Sequence, residues 1–168
     1  MKIETDRLVI RSKKEIDLES LATLWTDSEV TYYMGGPRNY KEVIKSLNED
    51  IQAERDFDLW SVIEKGTGQV IGHCGIIDKE VDSKNEYEIV YVIAKSAWGQ
   101  GYATEAATDI KDYAYQQLGL GRIIALIDPD NTRSERVAVK IGLKYEKDTI
   151  RPNGETMKVY ALNFKDYQ

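Results

Sequence analysis

Glu88-Ile-Val-Tyr-Val-Ile-Ala-Lys-Ser-Ala-Trp-Gly-Gln-Gly-Tyr-Ala-Thr-Glu105 is the stretch that decides the fold. Its β-branched and aromatic residues, Ile89, Val90, Tyr91, Val92 and Ile93, predict a strand. Gly99 and Gly101 mark a turn. From about Tyr102 the residues Ala103, Ala107, Ile110, Ala114 and Leu118 recur at helical spacing. A glycine turn between strand and helix is a device for holding an anion. The amides of a helix's first turn have no intrahelical partner, and the helix dipole places roughly half a positive charge there. Glycine lets the backbone approach a phosphate without a Cβ in the way. Residues 98–104 are therefore a candidate phosphate seat, although an ordinary strand–turn–helix connection has the same pattern.

Downstream, residues 122–128 form an apolar run of the kind buried on both faces of a sheet. A short helix follows through Lys140, with Thr132 and Glu135 at capping-box spacing, and Gly142 stops it. Residues 143–146 and 158–164 read as final strands around Pro152-Asn-Gly154. Upstream, residues 58–64 and 70–77 form a hairpin across Lys65-Gly-Thr-Gly68, and a second turn at 82–85 leads into the decisive strand. Before these lie a strand at 7–11 and two helices. The first covers 16–27, with Ser12 and Glu15 at capping-box spacing and Asp17 as a competing cap. The second, capped by Asn39 with Glu42, puts Tyr40, Ile44, Leu47 and Ile51 on one face. The order β-α-α-β-β-β-α-β-α-β-β gives an α/β (α+β) fold. A mixed, mostly antiparallel sheet of about seven strands carries helices on both faces, with one parallel crossover around the long helix. No repeat or linker divides residues 1–168, so a single domain is expected.

Composition narrows the function. Apolar residues at 42% and charged residues at 31% suit a globular chain. No apolar run approaches the ~20 residues that span a bilayer, and the N-terminus lacks the apolar region of a signal peptide. No membrane association is expected, and the location is expected to be cytoplasmic. The single cysteine, Cys74, and single histidine, His73, exclude an intrachain disulfide and give no basis for a metal site. Strand-like neighbours make His73 a core or cross-strand residue rather than a catalytic one. A net charge of −6 argues against nucleic acid and mildly favours a cationic substrate such as an amine. Glu49, Asp50, Glu54 and Asp56 read as a solvated face.

Several segments resemble one family. Trp98-Gly-Gln-Gly-Tyr-Ala103 is similar to the Q/R-x-x-G-x-G/A pyrophosphate loop of the GCN5-related N-acetyltransferase (GNAT) superfamily, with Trp98 in place of Gln or Arg. The full string Trp98 to Ala106 resembles the branch of ribosomal-protein N-terminal acetyltransferases. Asn131-Thr-Arg-Ser-Glu-Arg-Val-Ala-Val-Lys-Ile-Gly-Leu143 resembles N-x-x-S-x-x-V-A-x-K-x-G-F. Tyr87 to Ile93 resembles the A-E-I-G-Y-x-I strand, and Thr5 to Arg11 fits the T-x-R-L-x-I-R of the branch.

The resemblance implies an acyl-CoA N-acyltransferase fold and direct acetyl transfer from acetyl-CoA, as co-substrate, to a primary amine. The acceptor is expected to be a peptide N-terminus or a small amine. The backbone of Trp98, Gly99, Gln100, Gly101, Tyr102, Ala103 and Thr104 would hold the diphosphate. Tyr91, Val92 and Ile93 would pair with the pantetheine amides, on a strand expected to carry a bulge and to splay from its neighbour. Asn131 would bind the pantetheine arm. Lys140 would sit near the CoA phosphates or be a solvated helix charge. Glu88 is the candidate base, or a carboxylate that orients the acceptor, with Glu86 in reserve. The family's usual tyrosine acid falls at Ala138, so Ser134 is the candidate to protonate or hydrogen-bond the leaving thiolate. The runner-up reading is a catalytically silent acyl-CoA sensor or interaction module. The state is expected to be monomer or homodimer.

Overall fold

The computed structural model describes residues 1–167. One sheet of eight strands forms its centre, ordered β1-β2-β3-β4-β5-β6-β8-β7. The strands are β1 (Lys2–Glu4), β2 (Leu8–Arg11), β3 (Leu59–Glu64), β4 (Val70–Val81), β5 (Lys84–Ile93), β6 (Arg122–Ile127), β7 (Lys144–Ile150) and β8 (Thr156–Asn163). Four α-helices accompany them: α1 (Leu18–Thr26), α2 (Tyr40–Gln52), α3 (Tyr102–Gln116) and α4 (Thr132–Lys140). Every neighbouring pair is antiparallel except β5 and β6, which α3 connects. The expected mixed, mostly antiparallel sheet is present. Its extra strand is β1, three residues with too little apolar alternation to announce itself.

Strand alternation distributes the core to two sides. Ile89 and Ile93 of β5 point toward α3, where Ala106, Ala107, Ile110 and Ala114 are buried with Leu8, Ile10 and Ile123. The intervening Val90 and Val92 pack with Leu21, Ala22 and Leu24 of α1 and with Val43 and Leu47 of α2. Each buried branched side chain contributes about 1.5–3 kcal/mol. Glu88 shares the parity of Val90 and Val92, so it stands on the α1/α2 side.

The helix and turn boundaries depart from expectation in several places. A 3-10 turn at Glu15–Asp17 precedes α1, and the Ser12–Glu15 box is not formed. Asp17 instead accepts from the Lys14 amide, the Arg11 guanidinium and the Ser61 hydroxyl, three donors that fix it under the helix. The buried face of α2 is set by Val43 and Leu47, while Tyr40 is exposed. Its Asn39 cap forms as expected, accepting from the Glu42 amide at 3.1 Å. The N-cap of α4 is Asn131, not Thr132, because the Asn131 side chain reaches the Ser134 amide at 3.2 Å. The turn before β5 shrinks to Asp82 and Ser83, both at positive φ, so β4 and β5 run to Val81 and from Lys84. β7 extends to Ile150, because pairing with β8 orders polar residues that carry no apolar signal.

Candidate active site

β5 and β6 are in register at one position, Glu88 opposite Ile124. Beyond it the strands part, and a cleft of about 490 Å³ opens along Ile89–Ile93. The expected bulge on β5 is absent. Its pairing with β4 is continuous from Lys84 opposite Val81 to Ile93 opposite Gly72. The splay arises on the β6 side alone, where a parallel neighbour diverges without disturbing the antiparallel one.

The glycine loop closes one end of this cleft. Gly99 and Gly101 have φ of 76° and 80°, left-handed conformations that a Cβ disfavours. Gly101 is the N-cap of α3, so the free first-turn amides of a fifteen-residue helix adjoin the cleft. Trp98, Gly99, Gly101, Tyr102 and Ala103 line it; the side chains of Gln100 and Thr104 do not. The Trp98 indole donates to the Ile93 carbonyl at 2.7 Å. The Arg133 guanidinium of α4 lies 3.9 Å from the Trp98 ring centroid, a cation–π contact. Arg133 therefore brings a cation to a loop that has Trp98 where the family motif has Gln or Arg.

The loop is braced from the N-terminal segment. The Arg7 side chain donates to Glu105 at 2.7 Å and to the Gln100 carbonyl at 2.8 Å, and its guanidinium stacks on Tyr102 at 4.3 Å. Thr5 and the Arg7 amide also donate to Glu105, at 2.6 and 2.9 Å. Burial pulls the Glu105 pKa upward, but these hydrogen bonds outweigh it and hold the carboxylate ionised below its ordinary range. The Tyr102 hydroxyl donates to Glu64 at 2.8 Å. The Thr5–Arg11 segment thus has a structural task that its sequence spacing did not reveal.

At the other end stands Glu88, 8% exposed. Burial pushes its pKa above the ordinary carboxylate value, against the opposing influence of Lys79, Arg151 and the Leu126 backbone. Glu86 does not line the cleft. Its carboxylate is tied to Arg122 at 3.0 Å, which leaves it no role as a reserve base. Across the strand, Tyr91 points the opposite way, and its hydroxyl donates to the Ser134 carbonyl at 2.8 Å. The Ser134 hydroxyl in turn donates to Tyr91 Oη at 3.1 Å. Tyr91 was expected to act only through its backbone; strand parity shows which face its side chain takes, but not that α4 arrives there. Asn131, Ser134 and Lys140 all line the cleft. The Asn131 oxygen is engaged as helix cap, which leaves its NH2 group for a ligand.

His73 and Cys74 stand apart from this site. Trp25 donates to His73 Nδ1 at 2.9 Å, and burial pushes the imidazole pKa down to about 3. Burial pushes the Cys74 thiol up to about 12. Both nitrogens of the buried His73 ring are engaged, by Trp25 and the Leu59 carbonyl, and Cys74 is held as a buried thiol, so neither serves as a nucleophile at this site. The acidic group near the end of α2 is partly engaged in pairing, with Asp50 3.1 Å from Arg55. No helix among the described residues is long and apolar enough to cross a membrane.

Comparison with known proteins agrees with this geometry. Residues 7–144 match the family described as acetyltransferase (GNAT) domain. The uncharacterized protein YkkB of Bacillus subtilis is 36% identical over 162 residues, covering 95% of this chain and 94% of its own. The uncharacterized N-acetyltransferase p20 of Bacillus licheniformis is 32% identical, covering 95% and 93%. The crystal structure of a GNAT-family acetyltransferase from Bacillus anthracis superposes with a TM-score of 0.84 at 30% identity, covering 98% of this chain and 99% of that one. The family match spans most of the chain and both sequence relatives align along nearly its whole length, so the chain belongs to the GNAT acetyltransferase family.

Proposed function

We propose that the protein transfers an acetyl group from acetyl-CoA to a primary amine, a peptide N-terminus or a small amine, by direct attack. The observation that carries this reading is the parted strand pair. A buried carboxylate faces one side of the gap and a hydroxyl pair faces the other, with the glycine loop at its mouth. A thioester in the gap is open to an amine from the Glu88 side, while its sulfur leaves toward Tyr91 and Ser134.

The loop amides and the start of α3 suit a diphosphate. Arg133, Arg136 and Lys140 all line the cleft from α4 and add positive charge beside it. The Asn131 amide donates to the pantetheine arm. The edge of β5 that β6 leaves unpaired offers backbone groups to the pantetheine amides and to the thioester carbonyl. The neutral amine attacks the carbonyl carbon, the C–S bond breaks, and the amine proton passes to Glu88, directly or through water. The raised pKa of Glu88 makes it a better base than a surface carboxylate. An α-amine, with pKa ~7.7–8.0, needs less help than a lysine at ~10.4. In the free protein Tyr91 donates to the Ser134 carbonyl and Ser134 to Tyr91 Oη. The Ser134 hydroxyl therefore turns from Tyr91 to hydrogen-bond the leaving thiolate while Tyr91 holds the Ser134 backbone in place, where the family has a tyrosine and this chain has Ala138.

The test is CoA release from acetyl-CoA over a panel of amino acids, peptides, polyamines and aminoglycosides. Turnover that falls in Glu88→Gln while CoA affinity is kept supports the assignment. CoA binding without release on any amine favours the silent sensor.

A further inference from the structure

The acceptor end of the cleft has a charge pattern opposite to that of the chain. The net charge is −6, yet Arg38, Lys79 and Arg151 line the cleft on the Glu88 side. Arg151 stands in the turn between β7 and β8. Its Nε is the one buried side-chain nitrogen or oxygen among the described residues with no hydrogen-bond partner. No carboxylate among them forms an ion pair with its guanidinium. A guanidinium has five donors in a planar fork, and burying one unmet is costly. Arg38 comes from the segment before α2. Its guanidinium donates only to the carbonyls of Met34 and Gly36, at 2.6 and 2.8 Å, and lies 5.0 Å from the Trp25 ring centroid. Burial, then repulsion from Arg151, lowers the Arg38 pKa. Both guanidiniums belong to the lining of one cleft, and no carboxylate among the described residues forms an ion pair with either.

The acids of the same lining have other tasks. Glu29 is ion-paired with Lys95. Asp128 accepts from the Asp130 amide. Glu88 is buried and already faces Lys79 and Arg151. Besides Glu88, a second cation on the acceptor would meet one carboxylate without an ion pair, Asp128, whereas an anion would meet two guanidiniums with donors to spare.

We infer that the acceptor is a primary amine that also carries an anionic oxygen group, carboxylate or phosphate, which Arg151 and Arg38 clasp while the amine faces Glu88. This rests on the acetyl-transfer reading and narrows it. The clasp is planar and forked, which is the geometry arginine offers to either group. It also serves as an orienting device, since the fixed anion directs the amine toward the gap.

The test compares matched acceptors on the full chain at saturating acetyl-CoA. The pairs are an α-amino acid against its carboxamide and phosphoethanolamine against ethanolamine, with spermidine as the cationic acceptor. The anionic member of at least one pair is expected to show about tenfold or greater kcat/KM, and the favoured pair distinguishes carboxylate from phosphate. Arg151→Gln should erase the preference by lowering kcat/KM for the anionic member to the level of its neutral partner, and Arg151→Lys should restore part of it. Equal rates within both pairs, faster turnover of spermidine, or an unchanged preference in Arg151→Gln would overturn the inference. A second readout is independent of turnover: the N-acetylated amino acid should raise the melting temperature of the wild type with CoA present, and its amide should not. If no amine is turned over but this shift appears and is lost in Arg151→Gln, acetyl transfer is wrong and the anion clasp stands. If neither appears, both fall.

Discussion

The two ends of the cleft are built differently. Around the glycine loop the bracing side chains have partners, and the free first-turn amides of α3 are what remains for a ligand. Arg7 joins Glu105 and Gln100, Tyr102 joins Glu64, and Trp98 joins Ile93. Around the acceptor, Arg151 lacks an acceptor and Arg38 binds only backbone carbonyls. A donor molecule common to a whole family can be met by a finished, rigid seat. On the proposed reading, an acceptor particular to one protein is met by groups left unpaired in the free protein, at some cost to it. Preorganisation is concentrated where the ligand is constant, and unpaired charge where it varies.

The largest expected effect lies between the two ends. Glu88→Gln should lower kcat/KM by about 10²–10⁴-fold while leaving the CoA dissociation constant within a few-fold. Since its pKa is raised, the base is lost as pH falls through a value above the ordinary ~4.3 for glutamate. The wild-type rate should therefore carry an acid-side decline from Glu88 in addition to the one set by protonation of the acceptor amine, and the variant should keep only the latter. Steady-state kinetics from about pH 5 to 9, a window that starts above the ordinary glutamate value and takes in the α-amine range, checks both.

Next comes the anchor of the acceptor wall. Asp17 is fully buried with Arg11 at 2.7 Å. Burial raises its pKa, but the hydrogen bonds from Arg11, Lys14 and Ser61 prevail and lower it. Its stabilisation is complete above the unfolded value of ~3.9 and is lost as pH falls through the lower folded value. Asp17→Ala should destabilise the fold by about 3–5 kcal/mol at neutral pH, since it leaves Arg11 unpaired. Denaturant unfolding of both proteins at neutral and acid pH measures the difference and its convergence.

A smaller effect is expected at the donor seat. Gly101→Val forces a β-branched residue to φ 80° and should cost about 1–3 kcal/mol, seen as a higher KM for acetyl-CoA. The acceptor KM should stay close to wild type. Arg7→Ala is milder still. It removes the brace from a partly exposed pair and should raise the acetyl-CoA KM less than tenfold. A matching rise in acceptor KM for either variant would show that the two ends are not independent.

Much of the donor seat was legible because its signals are local. Gly99, Gly101 and the helix after them lie within one short stretch, and the alternation of β5 follows from its own residues. Asn131 and Ser134 were legible as a spaced pair, though the cap function of Asn131 was assigned to its neighbour. The face of α2 was misread by one position, since Val43 and Ile44 are both apolar and only packing against Val92 chooses between them. Arg7, Arg133 and the Tyr91 hydroxyl had no local signal. Each acts on residues far along the chain, about a hundred positions away for Arg7 and Glu105.

By itself the sequence determined the order of strands and helices apart from β1, the glycine turn and the buried position of His73. These follow from side-chain periodicity and from backbone freedom, which neighbouring residues settle between themselves. Tertiary structure alone decided that the β5–β6 pair parts at Glu88, that α4 brings Ser134 to the Tyr91 hydroxyl, and that Arg38 and Arg151 line the same cleft. Those facts depend on where distant segments stop touching, and on whether a charge finds a partner only after the chain has closed around it.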